Sequence, residues 1–166
     1  MRVLIAYGSK RGGTAGLAEM IGDEFTTLGL QMSVQPARHV RRLEGFDAVV
    51  ICGALYANRW HRDACRFARR HLKALQERPV WLVASGPLDE SAVAGEIPPV
   101  KHVTSVMAKI GARGQVTFGG RLEADAKGFP ASAMAKNRSG DWRDASHVHR
   151  WASTVAEALA HLGQPA

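Results

Sequence analysis

Cysteine is nearly missing from this 166-residue chain. Cys52 and Cys65 form no C-x-x-C pair, which excludes a disulfide framework and a thiolate-rich metal centre. Cys52 closes an apolar strand and Cys65 falls in a helix pattern, so both read as buried free thiols. Missing too is any apolar run near the roughly 20 residues that a membrane-spanning helix requires. The N-terminus opens on a strand pattern without the charged and apolar regions of a secretory leader, so cytoplasmic residence is expected. Acids are scarce, since 15 Asp and Glu face 22 Lys and Arg for a formal charge of +7. The histidines are scattered, and the i,i+2 spacing of His147 and His149 splits the two rings around a helix. No metal site is expected.

What is present is a regular alternation of apolar strands and amphipathic helices. Val3–Tyr7 is a short buried-strand run. Residues 14–28 place Leu17, Ala18, Ile21, Phe25 and Leu28 at helical spacing. A strand over 30–35 and an uninterrupted apolar strand over 48–51 follow. The clearest amphipathic helix covers 61–76, with Ala64, Ala68, Leu72 and Leu75 along one stripe. Strands at 79–84 and 115–118 bracket a helix that runs from just after Pro99 to about Ile110. Residues 119–145 are irregular, and a final helix over 146–162 carries Val148, Trp151, Val155, Leu159 and Leu162 on its core face. No linker or repeat divides the chain, so residues 1–166 read as one domain. The order predicts an α/β fold with a doubly wound, five-stranded parallel sheet and helices on both faces.

Ligands in such sheets collect at the carboxyl ends of the strands. Three loops leave those ends, at 8–14, 54–60 and 85–91. The first, Ser9-Lys10-Arg11-Gly12-Gly13-Thr14, joins glycines, hydroxyls and two cations to a helix start, which is the chemistry of an anion cradle. It carries neither the G-K-[ST] of a nucleoside-triphosphatase loop nor the G-x-G-x-x-G dinucleotide pattern. The second supplies Ala54, Leu55, Tyr56, Asn58 and Trp60. The third supplies Ser85, Gly86, Pro87 and Leu88, where Pro87 stiffens the wall without offering an N–H.

The string Tyr7-Gly8-Ser9-Lys10-Arg11-Gly12-Gly13-Thr14 resembles the phosphate loop of the flavodoxin-like family, and the resemblance covers nearly the whole chain. Ser9, Gly12 and Thr14 match that loop's pattern, and Arg11 stands where the family has a threonine. The resemblance implies strand order 2-1-3-4-5 and an FMN cofactor. Its phosphate would meet the first loop and its ring would lie between 54–60 and 85–88. Either Tyr56 or Trp60 could stack on the ring, Trp60 alternatively serving as a core anchor that leads the next helix. Gly53-Ala54-Leu55-Tyr56, the Trp60-to-Phe67 spacing, Ser85-Gly86-Pro87 and Gly119-Gly120-Arg121-Leu122 further resemble the menaquinone-dependent protoporphyrinogen oxidase branch. So do Gly140-Asp141-Trp142-Arg143-Asp144 and Trp151-Ala152. That branch implies oxidation of a reduced substrate with electrons passed towards a quinone, close to a membrane.

No side chain takes a catalytic acid or base role, and His61 reads as a solvent-facing residue at a helix start. Arg121, Lys127, Lys136 and Arg143 are candidate anion contacts. The alternative is a surface excursion over 119–145 that Phe129 and Trp142 tie to the core. The positive charge gathers at Arg59, Arg62, Arg66, Arg69, Arg70 and Lys73, with Asp63 the lone acid among them. This face suits an acidic protein or an anionic membrane surface, or is simply solvated. It lacks interleaved aromatics, so no specific nucleic-acid partner is expected. Three functions follow: an FMN oxidoreductase coupled to a quinone, a pure FMN electron carrier, or a cofactor-free module that binds a partner through the basic helix.

Overall fold

A computed structural model describes residues 1–10, 12–86, 91, 97–122, 127 and 139–163. The strands are β1 (Arg2–Gly8), β2 (Gln31–Pro36), β3 (Ala48–Tyr56), β4 (Arg59–Trp60), β5 (Val80–Ser85), β6 (Gly114–Phe118), β7 (Arg121–Leu122) and β8 (Gly140–Asp141). The helices are α1 (Gly13–Thr27), α2 (Arg62–Arg70), α3 (Leu72–Gln76), α4 (Lys101–Ile110) and α5 (Ala145–Leu162). The main sheet runs β2-β1-β3-β5-β6, with every neighbouring pair on that path parallel. Numbered as five main strands, this is the expected 2-1-3-4-5 order.

Strand alternation divides the core into two layers. Val3 and Ile5 of β1 and Val50 and Cys52 of β3 point to one face, where Leu17, Ile21 and Phe25 of α1 meet Val155 and Leu159 of α5. Leu4, Ala6, Val49 and Ile51 point to the other, against Ala64, Phe67, Leu75, Val103 and Ile110. The near-continuous apolar runs follow, because a sheet covered on both sides buries every position of its central strands.

Five expectations need correction, one being that Leu162, expected on the core face of the last helix, is 44% exposed. The central strand does not stop at Ile51; β3 continues to Tyr56 and turns through Ala57 and Asn58 into the antiparallel β4. Both turn residues hold positive φ, 47° and 58°, the backbone of a two-residue hairpin. The helix expected over 61–76 breaks at His71. There Arg70 Nη2 donates to the carbonyls of Ala37 (3.1 Å) and Val40 (3.0 Å), so Arg70 turns away from the basic face to hold a loop. The irregular 119–145 stretch contains the ribbon β7–β8, in which Arg121 pairs with Asp141. Finally, Cys52 is buried as expected but Cys65 is only half-buried.

Candidate functional site

The sheet register brings the three candidate loops to one edge: Gly8 pairs with Gly53, and Ala54 with Ser85. The first loop enters α1 through Gly12, whose φ of 79° lies in the left-handed region. An added Cβ there meets no atom within 4 Å, so the backbone and not crowding demands glycine. Gly12 occupies the N-cap, has no side chain to close the helix, and no acid follows in the first turn. Ser9 Oγ accepts the Gly12 N–H at 3.1 Å, leaving its own proton to donate. Thr14 is buried at the base of the loop, while Lys10 is exposed. Arg11 lies outside the described residues.

The second loop is the β3–β4 hairpin, with Tyr56 exposed near its tip and Asn58 exposed in the turn. Ala54 is buried below them. Trp60 is 2% exposed and donates its indole N–H to the Val83 carbonyl at 3.3 Å. Its ring also fills the space that a Cβ on Gly53 would need. Of the two roles open to Trp60, the core anchor is therefore the one its position fits, and a stacking face is not exposed. Tyr56, exposed at this edge, lies 6.5 Å from the His61 ring. From the third loop, Ser85 is buried at the end of β5 and Gly86 donates its N–H to Phe118 O at 3.0 Å. A Cβ on Gly86 would lie 2.8 Å from Leu55 Cδ1, so the second and third loops touch there. Pro87 and Leu88 lie outside the described residues.

Sequence reasoning did not anticipate how the β7–β8 ribbon meets the first loop. A Cβ on Gly13 would fall 3.1 Å from Arg121 O, and one on Gly16 would collide with Arg143 Nη1. Arg143 is fixed by Asp141, with Nη2 donating to Oδ2 at 2.6 Å and Nε to Oδ1 at 2.8 Å. The guanidinium's hydrogen bonds hold the Asp141 carboxyl below the usual carboxylate range. Trp142 holds the ribbon too, donating its N–H to Gly120 O at 3.0 Å. Lys136 and Phe129 lie outside the described residues. The signal for this contact was the run of small residues at 12, 13 and 16, which allows another chain segment to lie close to the helix start.

A cleft of about 1080 Å³ opens beside Ser9, Lys10 and Tyr56 and continues between α2 and α4 as far as Lys109. His61 stands at its entrance and accepts the Asp63 N–H through Nδ1 at 3.2 Å, capping α2. Burial lowers the His61 pKa, opposed by Asp63 and assisted by Arg62 and Lys10, which favours the neutral ring. Deeper in, His102 Nδ1 accepts the Trp60 backbone N–H at 3.2 Å, which leaves the proton on Nε2, facing Cys65 Sγ at 3.6 Å. Burial raises the Cys65 thiol pKa, so this pair is no preformed thiolate nucleophile. Among the described residues, no group of three His, Cys, Asp or Glu is placed to hold a metal ion.

The model for the flavodoxin domain family matches residues 4–129. The chain belongs to that family. Similar solved structures include a flavodoxin from the domain Archaea, at 15% identity and TM-score 0.64, covering 97% of this chain and 100% of that one. A cysteine-to-serine mutant of flavodoxin from Pseudomonas aeruginosa matches at 15% identity and TM-score 0.61, covering 96% and 99%. Rubredoxin oxygen:oxidoreductase from Desulfovibrio gigas matches at 15% identity and TM-score 0.67. That match covers 98% of this chain but 37% of the other, so the flavodoxin domain here spans little more than a third of that protein. At these identities the structures testify to the fold. No curated protein matches the chain at a significant level.

The cofactor of this flavodoxin domain is FMN, and the first loop passes the test of fitting its phosphate. The open αL glycine, the uncapped helix start and the Ser9 hydroxyl supply donors with no competing acid in the first turn. Among the described residues, no helix is long and apolar enough to cross a membrane.

Proposed function

We propose that this flavodoxin domain is an FMN-dependent oxidoreductase that takes electrons from a reduced substrate and delivers them to a quinone, as in the protoporphyrinogen oxidase branch it resembles. The observation that carries the reading is the ribbon against the first loop. The two stretches that form it, Gly119–Leu122 and Gly140–Asp144, are those that resemble the branch, and Arg121 and Arg143 bring them onto Gly13 and Gly16. The branch-like stretches thus form a structured element that stands directly beside the cofactor loops.

When bound, FMN supplies the redox chemistry, and the protein binds, orients and tunes it. Ser9, Lys10, Gly12, Gly13 and Thr14 would hold the phosphate through hydroxyls, backbone N–H groups and charge. Ala54, Leu55, Tyr56 and Asn58 would border one side of the ring, and Ser85 and Gly86 the other. Trp60 acts beneath the second loop, pinning the hairpin to β5 through Val83. No residue is assigned as an acid or base, since His61 Nδ1 is committed to capping α2. The protein works in the cytoplasm, meeting its quinone at the membrane edge.

The test is an anaerobic titration with FMN, followed by reduction and reoxidation by a soluble menaquinone analogue. Stoichiometric FMN binding and fast reoxidation are expected. Oxidation of a porphyrinogen would establish the named activity. FMN binding without quinone turnover would make the chain a carrier, and a folded protein that takes no FMN would overturn the reading altogether.

A further inference from the structure

The cleft between α2 and α4 has a charge pattern that the cofactor does not require. Among the described residues, seven cationic side chains and one carboxylate line it. Arg62, Arg66 and Arg69 stand at i, i+4 and i+7, so α2 presents them from one face, and all three are exposed. Arg59 precedes them on β4, Lys10 stands at the cofactor end and Lys109 at the far end. Asp63, the one carboxylate among the described lining residues, lies 3.8 Å from Arg62 Nε and offsets little of the charge. Below this rim lie Trp60, Ala68 and Ile110, each at most 3% exposed, with half-buried Leu72 and Val106 beside them.

We propose that this cleft docks an acidic polypeptide segment of an electron-transfer partner, its carboxylates meeting Arg62, Arg66 and Arg69 and its apolar side chains meeting Leu72 and Val106. A lone phosphate or carboxylate is too small for the space, which exceeds the roughly 300–1,000 Å³ typical of small-ligand sites. A flat anionic bilayer meets projecting charges, whereas part of this charge lines a concave wall. A nucleic-acid strand asks for aromatic platforms, and of Tyr56 and Trp60, the Tyr and Trp among the described lining residues, Trp60 is buried. Opposite charge would also speed encounter before contact. Docking stands on the charge and shape alone. That the docked partner exchanges electrons rests on the proposed function, because Ser9, Lys10 and Tyr56 belong to both the cleft and the cofactor loops.

The experiment follows fluorescence anisotropy of a labelled short peptide of alternating Glu and Leu, with and without FMN, at low and physiological ionic strength. Anionic phosphatidylglycerol vesicles form a parallel arm. The peptide is expected to bind, and to weaken with salt. Arg66→Glu with Arg69→Glu should weaken it by about tenfold or more, and Arg66→Gln with Arg69→Gln by less. Arg113→Glu with Arg150→Glu, an equal change of charge outside the cleft, should leave it unaltered. No binding at low salt, equal loss in both Glu variants, or binding to vesicles but not to peptide would overturn the proposal. All variants should keep their FMN affinity. A folded protein that binds peptide but no FMN would overturn the cofactor reading while leaving the docking surface intact.

Discussion

Arg143 and Gly16 are matched by absence: the guanidinium Nη1 occupies the space that a side chain at position 16 would fill. Two other nitrogens of that guanidinium are held by Asp141 at 2.6 and 2.8 Å. This joins the chain's C-terminal region to the first turn of its first helix. Arg143→Ala should release the ribbon from α1 at a stability cost of about 1 kcal/mol, since the Asp141 side chain is 45% exposed and solvent screens the pair. The Asp141 carboxyl is depressed in the fold, so the pair's contribution is complete above the ordinary carboxylate pKa and lost as pH falls through the depressed value. Denaturant unfolding of both proteins at neutral and acid pH should show the two curves converging at low pH. A gap unchanged by acid would remove the ion pair as its cause.

Trp60 anchors the hairpin rather than offering a face. Its burial at 2% and its 3.3 Å bond to Val83 O predict that Trp60→Ala costs about 3–5 kcal/mol. Trp60→Phe should cost less but still leave the Val83 carbonyl without its donor. Equilibrium unfolding measures both, and a Trp60→Ala cost under about 1 kcal/mol would contradict the anchor role.

The turn that aims Tyr56 is strained at one residue. Ala57 sits at φ 47°, a region costing a non-glycine residue roughly 1–2 kcal/mol, and its neighbour Asn58, at φ 58°, tolerates it better. Ala57→Asn should therefore raise stability by about 0.5–1 kcal/mol. A lowered melting temperature would count against the turn as described.

Much of this was legible from residue pattern. The doubly wound parallel sheet followed from the β/α alternation, and the edge at which ligands collect followed from that architecture, while the strand order came with the family resemblance. The β3–β4 hairpin was hidden because its turn contains no glycine, and because an apolar run read alone does not report where a strand overshoots its sheet. Arg70 looked like one more surface cation; only the folded loop at 37–40 reveals the carbonyls it serves. The Trp60 ring was equally consistent with the core and the site until Gly53 and Val83 were brought beneath it. Contacts between distant segments, such as Gly16 with Arg143, have no local periodicity to announce them.

Tyr56 gives the sharpest test of the cofactor edge. It is 37% exposed, so Tyr56→Ser should leave folding within about 0.5 kcal/mol. Loss of an aromatic contact worth about 0.5–1.5 kcal/mol should weaken FMN by roughly 2- to 13-fold. Titration of the flavin fluorescence measures this, and an unchanged affinity would take Tyr56 out of the site.

His61 predicts a pH dependence at the entrance of the cleft. Its Nδ1 must be unprotonated to accept the Asp63 N–H at 3.2 Å. Its pKa in the fold is lowered, first by burial, from the ordinary histidine value of 6.5. The unfolded chain therefore binds the proton more readily, so the stabilisation is complete above about pH 6.5 and is lost as pH falls through the lowered value. His71 and His147 shift in the same direction, so the wild-type curve alone would not isolate His61. His61→Asn supplies a cap that does not titrate. The difference in unfolding free energy between this variant and wild type should be flat above neutrality and should move in the variant's favour as pH falls from about 7 to about 5. His61→Ala, which removes the cap outright, should cost about 1 kcal/mol at about pH 8 and progressively less under acid conditions. A difference curve that stays level across this range would show that the ring's protonation does not govern the start of α2.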